Sequence, residues 1–134
     1  CGEKMDLSRL KLPVYIYGSR EDHIVPINAA YASTQVLPGK KRFVMGASGH
    51  IAGVINPPAK GKRSHWIRAD GKLPATLDQW LEGATEHPGS WWTDWSGWLK
   101  GHAGKQIAAP KGYGKGARFK AIEPAPGRYV KEKA

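Results

Sequence analysis

The sequence predicts an α/β fold with parallel strands, of which this chain holds the closing part. Two observations carry the expectation: a strand, loop, helix and strand follow one another within about 35 residues, and two amphipathic helical patterns lie downstream. A third observation limits it. Two parallel strands with three short helices are too few to cover both faces of a parallel sheet, so the chain reads as the C-terminal end of a larger domain. The start, which lacks Met, fits that expectation.

The first strand is expected at Pro13-Val-Tyr-Ile-Tyr17, a β-branched and aromatic run that opens on Pro and stops at Gly18, as a strand buried on both faces does. Ser19 to Asn28 is polar and contains Pro26, so it reads as a loop. Ala29 to Leu37 suits a helix halted by Pro38-Gly39, and Lys41-Arg-Phe-Val-Met45 is the second strand, ending at Gly46. The unit is βαβ, with parallel strands and a right-handed crossover. Thr76-Leu-Asp-Gln79 has the form of a capping box, and Leu77, Trp80, Leu81 and Ala84 share one helical face, giving a helix that runs to about His87-Pro88-Gly89. Ser90 is expected to cap a third helix closed by Gly101, with Trp91, Trp95 and Trp98 on one side. So much aromatic area needs a partner, and a sheet or neighbouring helix is the expected one.

Composition narrows the class. Of 134 residues, 40% are hydrophobic and 24% charged, values of a folded domain rather than a disordered chain. The uncharged stretch from Ala47 to Ala59 is broken by Gly, Asn and Pro, so no membrane-spanning helix is expected. The polar start Cys1-Gly-Glu-Lys-Met-Asp6 does not read as a secretory signal, and none is expected there. With Cys1 as the only cysteine, an internal disulfide and a cysteine zinc site are both excluded, and a reducing cytoplasm is the expected compartment. The five histidines (His23, His50, His65, His87 and His102) lack metal-ligand spacing, and no metal is expected.

The net charge of +10 is uneven. Residues 100–134 hold nine Lys and Arg against two Glu, a net +7, in a stretch full of Gly and Pro. That tail is expected to be an extended arm, residues 101–134, lying on a body formed by residues 1–100. A basic arm with a Trp cluster also raises single-stranded nucleic acid as a ligand, but the Trp rings sit beside Asp94 instead of alternating with Lys or Arg, so no nucleic-acid partner is expected.

Working groups in parallel α/β sheets sit past the carboxyl ends of strands. The first strand is followed by Ser19-Arg-Glu-Asp-His-Ile-Val-Pro26 and the second by Gly46-Ala-Ser-Gly-His-Ile-Ala-Gly53. Acid then histidine, 28 residues apart, is the order found at the end of an α/β-hydrolase, where the nucleophile comes earlier in the chain. Asp22 and His50 are thus the candidate catalytic pair, His50 as the base and Asp22 as the group that orients it. Ser48 adjoins the histidine it would have to face, and Cys1 precedes the acid's strand with no elbow, so neither is the expected nucleophile.

Several segments together resemble the C-terminal part of class I polyhydroxyalkanoate synthases: Arg20 to Pro26, Arg42 to Pro58, Lys62-Arg-Ser-His-Trp66, Gly89-Ser-Trp-Trp92 and Ala121 to Val130. The resemblance covers essentially the whole chain. It implies an α/β-hydrolase fold and an acyltransferase that polymerises (R)-3-hydroxyacyl units from coenzyme A thioesters through a cysteine nucleophile. Asp22 would be the acid and His50 the histidine of that site. Cys1 resembles a different cysteine, outside the elbow, and the nucleophile region itself is not in this sequence, so the chain alone is expected to be inactive. Lys62 and Arg63, a short step after the histidine loop, read equally as partners for the phosphates of coenzyme A and as a solvated basic pair without a function. The partners implied are the acyl-coenzyme A substrate, the growing polyester and a second copy of the enzyme. No cofactor is implied beyond the coenzyme A released, and the implied location is cytoplasmic, at the surface of polyester granules. The rival enzyme reading is the tail of an esterase or dehalogenase, with the same acid and histidine and another nucleophile.

Overall fold

The computed structural model describes residues 2–133, so Cys1 lies outside the described residues. The chain forms two compact units, Cys1–Ala103 and Gly104–Ala134.

In the first unit, strand β1 (Val14–Ser19), helix α1 (Ile27–Val36) and strand β2 (Lys41–Gly46) make the βαβ unit. The strands pair in parallel from Val14 opposite Lys41 to Ser19 opposite Gly46. Helix α2 (His50–Val54), strand β3 (Ser64–Ile67), helix α3 (Leu77–Glu82), strand β4 (Thr85–Pro88) and helix α4 (Trp92–His102) follow. The sheet order is β1-β2-β3-β4, with β3 antiparallel to both β2 and β4.

Two strands were expected and four are present, so the sheet is mixed and not purely parallel. The expected helix from Thr76 to His87 is also shorter. Thr76 does cap it, its hydroxyl accepting the Gln79 amide at 3.3 Å, but α3 stops at Glu82. The cause is Arg68, just past β3, whose guanidinium donates to the Gln79 carbonyl at 2.7 Å and satisfies an end of the helix that would otherwise need another turn. Its head also fills the space a side chain at Gly83 would need. The chain is thereby released to pair Glu86 with Trp66 and His87 with His65. The N-cap of α4 is Trp91, without a side-chain capping bond, where Ser90 was expected; Ser90, one residue earlier, accepts the Trp92 amide on its Oγ at 3.0 Å, and the helix continues past Gly101 to His102.

Alternation along β1 sends its side chains to two cores. Ile16 joins Tyr31, Phe43, Met45, Leu77 and Trp80 under α1 and α3. There Phe43 meets Tyr31 and Trp80 edge-on, each at a centroid distance of 4.9 Å. On the other face Tyr17 stacks on Trp91 at 4.2 Å, and Tyr15 meets Trp98 at 5.5 Å. The tryptophan side of α4 therefore packs on the tyrosines of β1. Each such aromatic pair contributes about 0.5–1.5 kcal/mol beyond its buried area.

One polar junction fixes α4 on the sheet. Asp94 accepts hydrogen bonds from Tyr15 Oη at 2.9 Å and from Arg42 Nε at 2.8 Å, and a further one from Arg42 Nη2. Burial pushes the Asp94 carboxyl up, and its bonds to Arg42 and Tyr15 outweigh that, holding it below the ordinary value of 3.8.

The second unit is sparse in regular structure. It has a hairpin of two-residue strands, β5 (Gly114–Lys115) and β6 (Phe119–Lys120), and a 3-10 turn at Tyr129–Lys131. Its many Gly and Pro residues account for that.

Because the Asp94 pKa is depressed on folding, its stabilisation is complete above the unfolded value near 3.8 and is lost as pH falls through the lower folded value. Asp94→Asn should therefore lower stability by about 1–3 kcal/mol at pH 7. It should also flatten the loss of stability below pH 3.8, both read from urea unfolding followed by Trp fluorescence.

Candidate active site

The register of β1 and β2 ends both strands at the same level, and two further backbone bonds join the loops beyond them. The Arg20 amide donates to Gly46 O at 2.8 Å, and the Glu21 amide to Ser48 O at 3.0 Å. Arg20 is held from the side as well, its guanidinium lying 4.8 Å from the Trp66 ring of β3. Asp22 follows in a tight turn. Its Oδ1 accepts the amides of Ile24 and Val25, each at 2.9 Å, which orients the carboxylate.

The other oxygen, Oδ2, lies 2.8 Å from Nδ1 of His50, the first residue of α2. The structure thus brings together the two residues singled out in the sequence. An ionised carboxylate can only accept, so Nδ1 carries the proton and Nε2 is left as a basic lone pair. Burial is divided to suit: the Asp22 side chain is 8% exposed and that of His50 41%. The Asp22 carboxyl is held below its ordinary value first by the Val25 amide and then by His50 and the Ile24 amide, against the opposing effect of burial.

A cleft of about 200 Å³ opens beside the pair, lined by Tyr17, Ser19, Asp22, Val25, His50 and Val54 among others. Tyr17 and Ser19 share a hydrogen bond of 3.0 Å between their hydroxyls. Burial raises the Tyr17 hydroxyl pKa, and the bond to Ser19 and the Arg63 cation partly offset this. Sequence reasoning missed both residues, having placed Ser19 in a loop; the alternation of β1 was the available signal for Tyr17.

Lys62 and Arg63 are exposed. Arg63 acts electrostatically on Tyr17 and so on the cleft, whereas Lys62 engages through its backbone, its carbonyl accepting from Asn56 Nδ2 at 3.1 Å. Arg63 also holds a left-handed backbone, at φ 65°. Among the described residues, no group of three metal-ligating side chains occurs, and no helix is long and apolar enough to cross a membrane. A larger cleft of about 670 Å³ in the second unit, lined by Tyr113, Ile122, Glu123 and Pro124, holds no acid and base pair.

Followed by carbon NMR, the Asp22 carboxyl should titrate below 3.8. His50→Ala should move the midpoint only part of the way back, because the Val25 and Ile24 amides still donate. A midpoint at or above 3.8 in the unsubstituted chain would show that the turn does not form.

No protein-family model matches the chain. Over all 134 residues it is 66% identical to the poly(3-hydroxyalkanoate) polymerase subunit PhaC of Cupriavidus necator. It is 42% identical over 132 residues to the protein of the same name from Rhizobium etli, and 40% identical over 131 residues to the poly(3-hydroxyalkanoate) polymerase of Methylorubrum extorquens. These matches take in 98–100% of this chain's length, yet the chain spans only 22%, 20% and 21% of the three relatives. Over the stretch that it spans, the chain belongs to the poly(3-hydroxyalkanoate) polymerase family.

Proposed function

We propose that this chain is the acid and base part of a polymerase that joins (R)-3-hydroxyacyl units from coenzyme A thioesters into a polyester. The observation that carries the reading is the 2.8 Å bond from His50 to Asp22 past the ends of two parallel strands, in a sequence that matches polymerases along its whole length. In this reading residues 1–100 are the end of an α/β-hydrolase catalytic domain whose earlier part bears a cysteine nucleophile, and residues 101–134 are a basic tail packed on that domain. The enzyme is a homodimer in the cytoplasm, at the surface of polyester granules.

His50 Nε2 takes the proton of the cysteine thiol, and the thiolate attacks the thioester carbonyl. The carbon–sulfur bond to coenzyme A breaks, and the leaving thiolate takes the proton back from His50. For chain growth, His50 takes the proton of a 3-hydroxyl, whose oxygen attacks the acyl–cysteine thioester. An ester forms and the cysteine thiol is regenerated. Asp22 holds the imidazole in the required tautomer and stabilises the cation formed at each transfer. Arg63, whose charge reaches the cleft, is the better placed of the two basic residues to meet a coenzyme A phosphate, with Lys62 beside it in the chain. Val25 of the acid loop and Val54 of α2 line the cleft beside the pair and give it an apolar side, which suits an acyl substrate.

In a full-length polymerase carrying this segment, His50→Ala and Asp22→Asn should each lower turnover by roughly 10³- to 10⁶-fold in an assay of coenzyme A release. Cys1→Ala should leave turnover unchanged, and the 134-residue chain by itself should release no coenzyme A. Turnover within tenfold of the parent after His50→Ala would sink the assignment.

A further inference from the structure

The proposed base sits on a helix of only five residues, α2, which cannot hold its own position by internal hydrogen bonds. Something outside it must set where His50 stands. The contact lies one turn on, at Gly53. A methyl group built there would run into Ser19 Oγ, and would stand 3.0 Å from Ser19 Cβ and 2.8 Å from the Ala47 carbonyl oxygen. The backbone of α2 therefore rests directly on the Ser19 side chain, which is 2% exposed.

Ser19 is in turn held by its neighbour. Tyr17 Oη lies 3.0 Å from Ser19 Oγ, and the Tyr17 ring is clamped between Trp91, at a centroid distance of 4.2 Å, and Gly46, where a methyl group would come within 2.7 Å of ring carbons. Two glycines thus mark the ends of one stack: Gly46 under the tyrosine ring and Gly53 over the serine. Ser19 is also the last residue of β1, and its carbonyl accepts the Asp22 amide at 3.2 Å. The same residue supports the acid loop through its backbone and the histidine helix through its side chain.

We propose that Ser19, wedged between Tyr17 and Gly53, is a positioning residue that sets the spacing of His50 from Asp22 and from the substrate. This rests on His50 being the base. The proposal concerns the step of proton transfer, not the affinity for the acyl thioester. A displacement of about 1 Å at such a site costs on the order of 10²-fold in rate.

The test uses a full-length polymerase carrying this segment, with initial rates of coenzyme A release from 3-hydroxybutyryl-coenzyme A. Gly53→Ala should lower kcat by about 10²-fold and Ser19→Ala by about tenfold, each with KM within twofold of the parent. Ser19→Gly combined with Gly53→Ala should recover at least tenfold in kcat over Gly53→Ala, because the added methyl group then occupies space the serine has left. A residue that only stabilised the fold would change the amount of folded enzyme and leave the kcat of the folded enzyme unchanged. If Gly53→Ala does not fold, the division of the Ser19→Ala effect between kcat and KM decides. The proposal fails if the folded Ser19→Ala and Gly53→Ala enzymes keep kcat within twofold of the parent, or if the double variant is no faster than Gly53→Ala. His50→Ala is assayed alongside: retained turnover there overturns the catalytic reading itself, whereas its loss together with unaffected Ser19 and Gly53 variants overturns the positioning role alone.

Discussion

The parallel pairing of β1 with β2 is the constraint on which the rest depends. Six residue pairs in register bring both strands to an end together, Ser19 opposite Gly46, and the backbone bonds of Arg20 and Glu21 carry the pairing into the loops. A slip of one residue would turn Tyr15 and Tyr17 toward α1 and bring Ile16 to α4, reversing both cores at once. The same slip would shift the Asp22 turn against the start of α2 by about 3.3 Å, more than a hydrogen bond can span. Packing and chemistry thus select a single register.

The two faces of the sheet are secured by different means. Under α1 and α3 the contact is a dry aromatic and aliphatic cluster around Trp80, which is 1% exposed. Under α4 the rings of Tyr15, Tyr17, Trp91 and Trp98 supply area, but area alone is tolerant of sliding and rotation. The forked bond of Arg42 to Asp94, with Tyr15 as a third partner, removes that tolerance because its geometry is directional. Since Trp91, the residue just before α4, also backs the Tyr17 ring, the ion pair that fixes α4 has a bearing on how the cleft is shaped.

What could be read from the sequence follows from how each feature is encoded. β1, α1 and β2 are written in local patterns, a β-branched run, an alanine-rich stretch and glycine or proline stops, and their order sufficed to place Asp22 and His50 beyond adjacent strand ends. The tryptophan side of α4 was legible as a surface needing a partner. β4 was not legible: Thr85-Glu86-His87-Pro88 has no alternation, lies exposed and becomes a strand only because Arg68 ends α3 and β3 offers an edge. β3 was hidden for a similar reason, its Ser-His-Trp-Ile being too short to show a period. The support of α2 by Ser19 was out of reach as well, since it depends on the absence of a side chain at Gly53, and a glycine seen in a sequence does not say what fills the space beside it.

The mixed sheet has one further property, which lies in its two outer edges. At β4 the outermost strand is four residues long, carries Glu86 and His87, and ends on Pro88, which has no amide hydrogen to offer. Such an edge resists adding another strand. At β1 the outermost strand is Val-Tyr-Ile-Tyr-Gly-Ser, without a charge or a proline in it, and it is paired on one side only among the described residues. The sheet is therefore polar in the sense of a growing filament: one end is blocked, and the other is a template that accepts backbone. Any segment that completes it does so from the side of β1, next to the residue that supports both halves of the proposed acid and base pair.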